Sequence, residues 1–162
     1  YCSNDPDLYL ILAELLRKGI DKDLINRRIY NNYTEARFRL LGYILSEKLV
    51  VYPELHASLF TLDRAELKRF HYLKGDTEGV VNLPLQIKGQ KLSIFMHEDT
   101  EQPRICVSLR SVDDFPVNRM AADFFNGGGH INAAGGKLYC TMDEAVRMVE
   151  QALEAYRELL TA

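Results

Sequence analysis

Two hydrophobic periods divide the chain near Lys48. Before it, apolar positions recur about every three to four residues, the period of a helix with one buried face. Leu8, Ile11, Leu12, Leu15 and Leu16 form one stripe. Asn4 or Asp5 opens it as N-cap, Pro6 sits in its first turn and Gly19 closes it. Asp21 caps a second helix carrying Leu24, Ile25 and Ile29. Thr34 caps a third, with Leu40, Leu41, Ile44 and Leu45 on one face.

After Lys48 the texture turns β-prone. Residues 48–52 and 55–62, with Pro53-Glu54 between them, predict a hairpin, and 64–72 a short helix. Gly75-Asp76-Thr77-Glu78-Gly79 predicts a turn capping a short element over 80–87, which Pro84 keeps short or kinked. Strands are expected over 92–97, 104–110 and 136–140, and a helix over 117–125. Ala145, Val149, Ala152, Leu153, Tyr156 and Leu160 mark one continuous C-terminal helix. The expected fold class is α/β: a mixed β-sheet flanked by helices over 48–162, preceded by a helical N-terminal segment over 1–47.

Composition narrows the function classes. The chain has 162 residues, 47% of them hydrophobic and 27% charged, as in a soluble globular protein. No apolar run reaches the roughly 20 residues of a membrane helix, and no signal peptide opens the chain. A net charge of −3 argues against a protein that coats long nucleic acids. It leaves room for a small anion held by a few local cations. Cys2, Cys106 and Cys140 form no zinc-like pair, and their odd number points to a reducing cytoplasm. His56, His71, His97 and His130 are scattered, and His97-Glu98-Asp99 is a poor ligand trio because strand neighbours alternate faces.

The candidate chemistry lies in Gly127-Gly128-Gly129-His130-Ile131-Asn132-Ala133-Ala134-Gly135-Gly136. Glycines expose backbone N–H groups, which can face an anion, especially where a helical turn follows. Each costs roughly 0.5–1 kcal/mol relative to alanine, so five in ten residues imply a geometric demand. His130 can reach the same anion, and Ala133 and Ala134 leave room for close approach. The plainer alternative is a glycine-rich connection. A second element, Val107-Ser108-Leu109-Arg110-Ser111, ends a predicted strand. There Arg110 can grip phosphate with two parallel N–H bonds, and Ser108 and Ser111 can add hydroxyl donors.

The order Ser-Leu-Arg-Ser, then Val-Asn-Arg-Met-Ala-Ala-Asp-Phe-Phe, then Gly-Gly-Gly-His-x-x-Ala-Ala-Gly resembles the C-terminal domain of DHH-family phosphoesterases over about residues 48–162. The intact Leu-Arg-Ser and Ala-Ala-Gly elements are most similar to the nano-RNase and pAp-phosphatase branch, as is the 75–79 turn. The run from Tyr1 to Pro6 resembles the tail of that family's last catalytic-domain motif, which implies that residues 1–47 are the helical tail of the catalytic domain with a connector and that 48–162 are the substrate-binding domain.

The resemblance implies that Arg110 and His130 hold substrate phosphate, that Gly127, Gly128 and Gly129 supply backbone contacts, and that Ala133 and Ala134 line the pocket. It implies a two-metal manganese site in a separate catalytic domain, with no catalytic or metal-ligating residue in these 162. Expected partners are that domain and short RNA oligonucleotides or small nucleotides such as 3′-phosphoadenosine 5′-phosphate, and a homodimer is left open. The competing expectations are a stand-alone nucleotide-binding or regulatory module, or the same domain from a cyclic-dinucleotide phosphodiesterase or single-strand exonuclease.

Overall fold

The computed structural model describes residues 4–162, so Cys2 and the first three residues of the N-terminal motif lie outside the described residues. The chain forms two compact units, 1–34 and 35–162. The first holds α1 (Pro6–Arg17) and α2 (Lys22–Tyr30). Both begin as the caps predict: the Asp5 carboxylate accepts from the Asp7 N–H at 3.0 Å and Asp21 from the Leu24 N–H at 2.8 Å. Gly19, at φ +86°, closes α1, with the Gly19 N–H donating to the Leu16 carbonyl and the Ile20 N–H to that of Leu15. The predicted stripe does not form a core within this unit: Leu8 and Leu12 are half-buried, while Ile11, Leu15 and Leu16 are exposed.

The second unit is α/β. It begins with α3 (Glu35–Tyr43), which widens into a π-helical turn, Ile44–Lys48. There follow β1 (Val50–Tyr52), β2 (Ala57–Leu62), α4 (Arg64–Arg69), a 3-10 helix (Val80–Gln86), β3 (Leu92–Glu98) and β4 (Ile105–Ser111). The chain ends with α5 (Val117–Phe124), β5 (Gly128–His130), β6 (Ala133–Leu138), α6 (Met142–Ala155) and α7 (Arg157–Thr161). The third helix, grouped with the N-terminal segment on sequence, belongs to this compact unit, and its Leu40 joins the buried core together with Ile44.

The six strands form one open mixed sheet in the order β1-β2-β3-β4-β6-β5. β2 and β3 are parallel, and the other pairs are antiparallel. A parallel pair needs a long crossover, which α4 and the 3-10 helix provide. Pro84 is tolerated in the latter because that element stays short.

Helices cover the two sheet faces unequally. On the first face, Leu59, Ile94, Val107, Leu109, Ala134 and Leu138 pack with Met120 of α5, Phe125 at its C-terminal cap and Val149 of α6. The opposite face carries a smaller core, in which Phe60, Leu62 and Phe95 meet Leu40, Ile44, Leu67, Val80 and Val81. That second core takes side chains from β2 and β3 and none from β4, β6 or β5. Its helices are pinned by Glu66, which accepts from Lys48 Nζ at 2.7 Å and from the Tyr43 hydroxyl, and by Arg37, which donates to the Gly75 carbonyl at 2.6 Å and the Glu78 carbonyl at 3.1 Å.

Two boundaries differ from the sequence expectation. The last helix is two: at Tyr156 (φ −104°, ψ 11°) the chain leaves helical geometry, and the Tyr156 hydroxyl donates to Asp123 at 2.7 Å. Burial, then this bond, pushes the Tyr156 phenol up to about 12. The strand expected over 136–140 runs from Ala133 to Leu138 instead, because glycine and alanine fit a strand without showing its alternation.

The β3–β4 connection supplies a pH-dependent element. Asp99 accepts from the Glu101 and Gln102 N–H groups at 2.9 and 3.2 Å and from Arg104 Nε at 2.7 Å. The Glu101 N–H, followed by Arg104 and Gln102, holds its carboxyl at about 2. A pKa depressed on folding stabilises above the unfolded value of about 3.9, and the contribution is lost as pH falls through the folded value. Urea midpoints of Asp99→Asn should therefore fall less steeply than those of the wild type between about pH 4 and 2. Parallel profiles would show that Asp99 contributes nothing to acid stability.

Candidate functional site: an open shelf on the sheet

Alternation along β4 decides which predicted residues meet. Ile105, Val107, Leu109 and Ser111 are buried on the first face, while Cys106, Ser108 and Arg110 are half-buried on the second. Register extends the pattern sideways. Arg110 pairs with Ser93 on β3 and with Ala133 on β6, and Ala133 pairs with His130 on β5. Ser108 pairs with Phe95 and Gly135, and Gly135 with Gly128. Cys106 pairs with Lys137. Directly paired residues share a face. Arg110, Ala133 and His130 thus form one row, and Ser108, Gly135 and Gly128 the next, on a shelf that the second core leaves uncovered. With strands about 4.8 Å apart, Arg110 and His130 stand about 10 Å apart at the backbone, a span that two long side chains can close around one phosphate.

The shelf contains Arg110, Ser108, Gly128, His130 and Ala133 of the predicted residues. It does not contain Ser111, Ala134, Gly127 or Gly129. Ser111 is three residues from Ser108, an odd separation, so it faces the other way. Its buried hydroxyl donates to the Phe115 carbonyl at 2.7 Å and accepts from Asn132 Nδ2 at 3.0 Å. Ala134 is buried in the first core. The Gly127 N–H is committed to the Ala121 carbonyl at 3.0 Å.

The glycine run is neither a loop nor the start of a helical turn. It enters a β-hairpin whose turn residues are Ile131 and Asn132. Asn132 Nδ2 also donates to the Asp113 carbonyl at 2.8 Å, which fastens the hairpin tip to the β4–α5 connection. The glycines answer different demands. A Cβ on Gly127 would stand 1.9 Å from the Gly135 carbonyl oxygen, and one on Gly129, at φ +151°, 2.4 Å from that of Ala133. On Gly136 it would meet the Phe125 oxygen at 2.2 Å. These three are glycine so that the hairpin can close against its own backbone and α5. Gly128 is different: nothing lies within 4 Å of its Cβ position, which opens onto the shelf. β5 is also an edge strand, so alternate N–H groups turn away from the sheet and stay available to a ligand.

Sequence reasoning missed Gly135, Lys137, Cys106 and Ser93. Their place on the shelf follows from strand register, which no local pattern carries.

The shelf is positive. Arg110 Nη1 donates to the Leu109 carbonyl at 2.9 Å, and among the described residues no carboxylate pairs with it. Lys137 and His130, both exposed, share its face. At the other end, burial and then the Asp99 carboxylate raise the Cys106 thiol above its usual range, so it remains a neutral thiol. Burial lowers His97, whose ring stacks on Phe95 with centroids 5.2 Å apart. The His97-Glu98-Asp99 trio is dispersed: Glu98 accepts the Arg64 N–H at 2.8 Å, and Asp99 is committed to its loop. Among the described residues no group of three His, Cys, Asp or Glu side chains stands close enough to hold a metal ion.

Other concavities lie away from the shelf. One is lined by Arg64, Leu67, Lys68, His71, Tyr72 and Thr100, another by residues including Arg104, Tyr139, Thr141 and Glu144. The Arg64 guanidinium is already spent on the carbonyls of Asp99 and Gln102. Arg110 holds only its own neighbour's carbonyl, and that favours the shelf as an anion site.

The whole chain is similar to half of a solved protein from Bacteroides fragilis described as exopolyphosphatase-related. The identity is 54% and the TM-score 0.94, over 100% of this chain and 47% of that one. It also shares its fold with a pGpG-specific phosphodiesterase, PggH, from Vibrio cholerae, at 13% identity and a TM-score of 0.57, over 96% of this chain and 52% of that one. Among curated proteins none matches. The model of the DHHA1 domain matches residues 65–160, from α4 into α7, and so takes in Arg110, Ser108 and the entire hairpin. By that match the chain belongs to the DHHA1 domain family, the C-terminal domain of DHH-family proteins.

Proposed function

We propose that this chain is the substrate-holding part of a metal-dependent phosphoesterase acting on short oligoribonucleotides, on 3′-phosphoadenosine 5′-phosphate, or on both. One observation carries the reading: Arg110, Ser108, Ala133, His130 and Gly128 converge on one open sheet face, where Arg110 has no carboxylate partner among the described residues and Gly128 has no packing reason to be glycine. Arg110 supplies the planar fork for a phosphate, and Ser108, His130 and edge N–H groups supply further donors. Ala133 and Gly135 keep the floor low enough for a nucleotide to lie across it. The catalytic groups and a manganese pair belong to a separate catalytic domain.

The chain spans 47% of the length of its Bacteroides relative. In a turnover screen, a protein that joins these residues to such a domain should hydrolyse an RNA dinucleotide or 3′-phosphoadenosine 5′-phosphate. The 162-residue chain alone should hydrolyse neither, even with millimolar manganese. Turnover by the repurified chain alone, absent from a mock preparation, would overturn the division of labour. A second reading, a cyclic- or linear-dinucleotide phosphodiesterase, draws support from the shared fold with PggH. Preferred turnover of pGpG in the same screen would select it.

A further inference from the structure

Ser93 stands beside Arg110 in the β3–β4 register with its side chain on the shelf face, yet it is 0% exposed and its hydroxyl has no hydrogen-bond partner among the described residues. Buried polar groups are nearly always satisfied, and an orphan is a net loss to the folded state. Nothing in the packing requires a hydroxyl there. The neighbouring Ser58, in the same row, at least reaches the Leu92 carbonyl at 3.4 Å. The complementary excess lies one strand over. Arg110 carries five N–H donors, and its one side-chain bond among the described residues goes to the Leu109 carbonyl at 2.9 Å. Directly paired Cβ atoms lie about 4.5–5.5 Å apart, within reach of a serine hydroxyl and an arginine Nε.

We infer that Ser93 is the positioning residue of Arg110: its hydroxyl accepts a guanidinium N–H when Arg110 turns from Leu109 towards a ligand phosphate, and so fixes the plane of the fork. The inference rests on the reading of the shelf as a phosphate site. His97, whose Nδ1 is also buried without a partner among the described residues, does not share the role. It lies four residues further along β3, about 13 Å away, and faces Cys106. The orphan is a cost of the ligand-free state that binding removes.

Stability and affinity should respond to loss of the hydroxyl with opposite signs, which a packing role would not produce. Adenosine 5′-monophosphate is titrated calorimetrically into the wild type, Ser93→Ala, Arg110→Ala and the double variant, and each is melted without ligand. Ser93→Ala should weaken binding about fivefold to tenfold while its Tm stays level or rises. In the Arg110→Ala background the same change should add nothing, since the group it positions is gone. Wild-type affinity in Ser93→Ala beside weak binding in Arg110→Ala would overturn the inference and leave the phosphate site standing. So would a loss of affinity that persists in the double variant, or a fall in Tm. Wild-type affinity in Arg110→Ala would remove the phosphate site and the inference with it.

Discussion

Gly127→Ala should lower the Tm of the chain by roughly 6–12 °C, whereas Gly128→Val should leave it level or raise it and abolish nucleotide binding. The neighbouring glycines differ because the fold needs one and the shelf needs the other. A Cβ at 127 would lie 1.9 Å from the Gly135 oxygen and 2.7 Å from the Gly136 Cα, both backbone atoms that no rotamer can move aside. Overpacking against backbone costs about 3 kcal/mol, and each kcal/mol moves Tm by roughly 2–4 °C in a chain of this size. At 128 no atom lies within 4 Å, and valine is favoured over glycine in a strand. Its isopropyl group would rise over Gly135 and Ser108, in the space assigned to the ligand. Melting curves and titrations of both variants check the pair. Normal binding by Gly128→Val would reduce the glycine run to a structural hairpin.

Arg110→Ala should weaken binding of adenosine 5′-monophosphate roughly tenfold to a hundredfold, with little change in Tm. A hydrogen bond to a charged group is worth about 1.5–3 kcal/mol, and the fork supplies two in parallel. The fold loses only the bond to the Leu109 carbonyl from a half-buried side chain. Arg110→Lys should recover part of the affinity, because an ammonium keeps the charge without the planar pair of donors.

The elements were legible where side chains carry a period. Ile105 to Ser111 alternates buried and half-buried residues without a break, and the sequence predicts that strand to within a residue at either end. Asp5 and Asp21 announced their helices through capping chemistry that acts locally. The hairpin was not legible, because Gly-Gly-Gly and Ala-Ala-Gly-Gly offer neither alternation nor branched side chains, and their flexibility reads as a loop. The identity of the site residues was partly legible and their arrangement was not. Arg110, Ser108, His130 and Ala133 stand together. Ser111, at an odd separation from Ser108, and Ala134, next to Ala133, were bound to face away by strand geometry alone, once both segments were known to be strands. Ser93 and Gly135 could not be found without the pairing of β3, β4, β6 and β5, which is set by burial across the whole sheet.

The proposed function requires that a nucleotide phosphate bind on the shelf. Titrating adenosine 5′-monophosphate into the 15N-labelled chain and following backbone amide shifts tests this directly. The account predicts saturable changes centred on Ser108, Arg110, Gly128, His130 and Ala133, absent in Arg110→Ala. Changes centred instead on Arg64, Lys68 and His71, or the same hairpin changes persisting in Arg110→Ala, would contradict it.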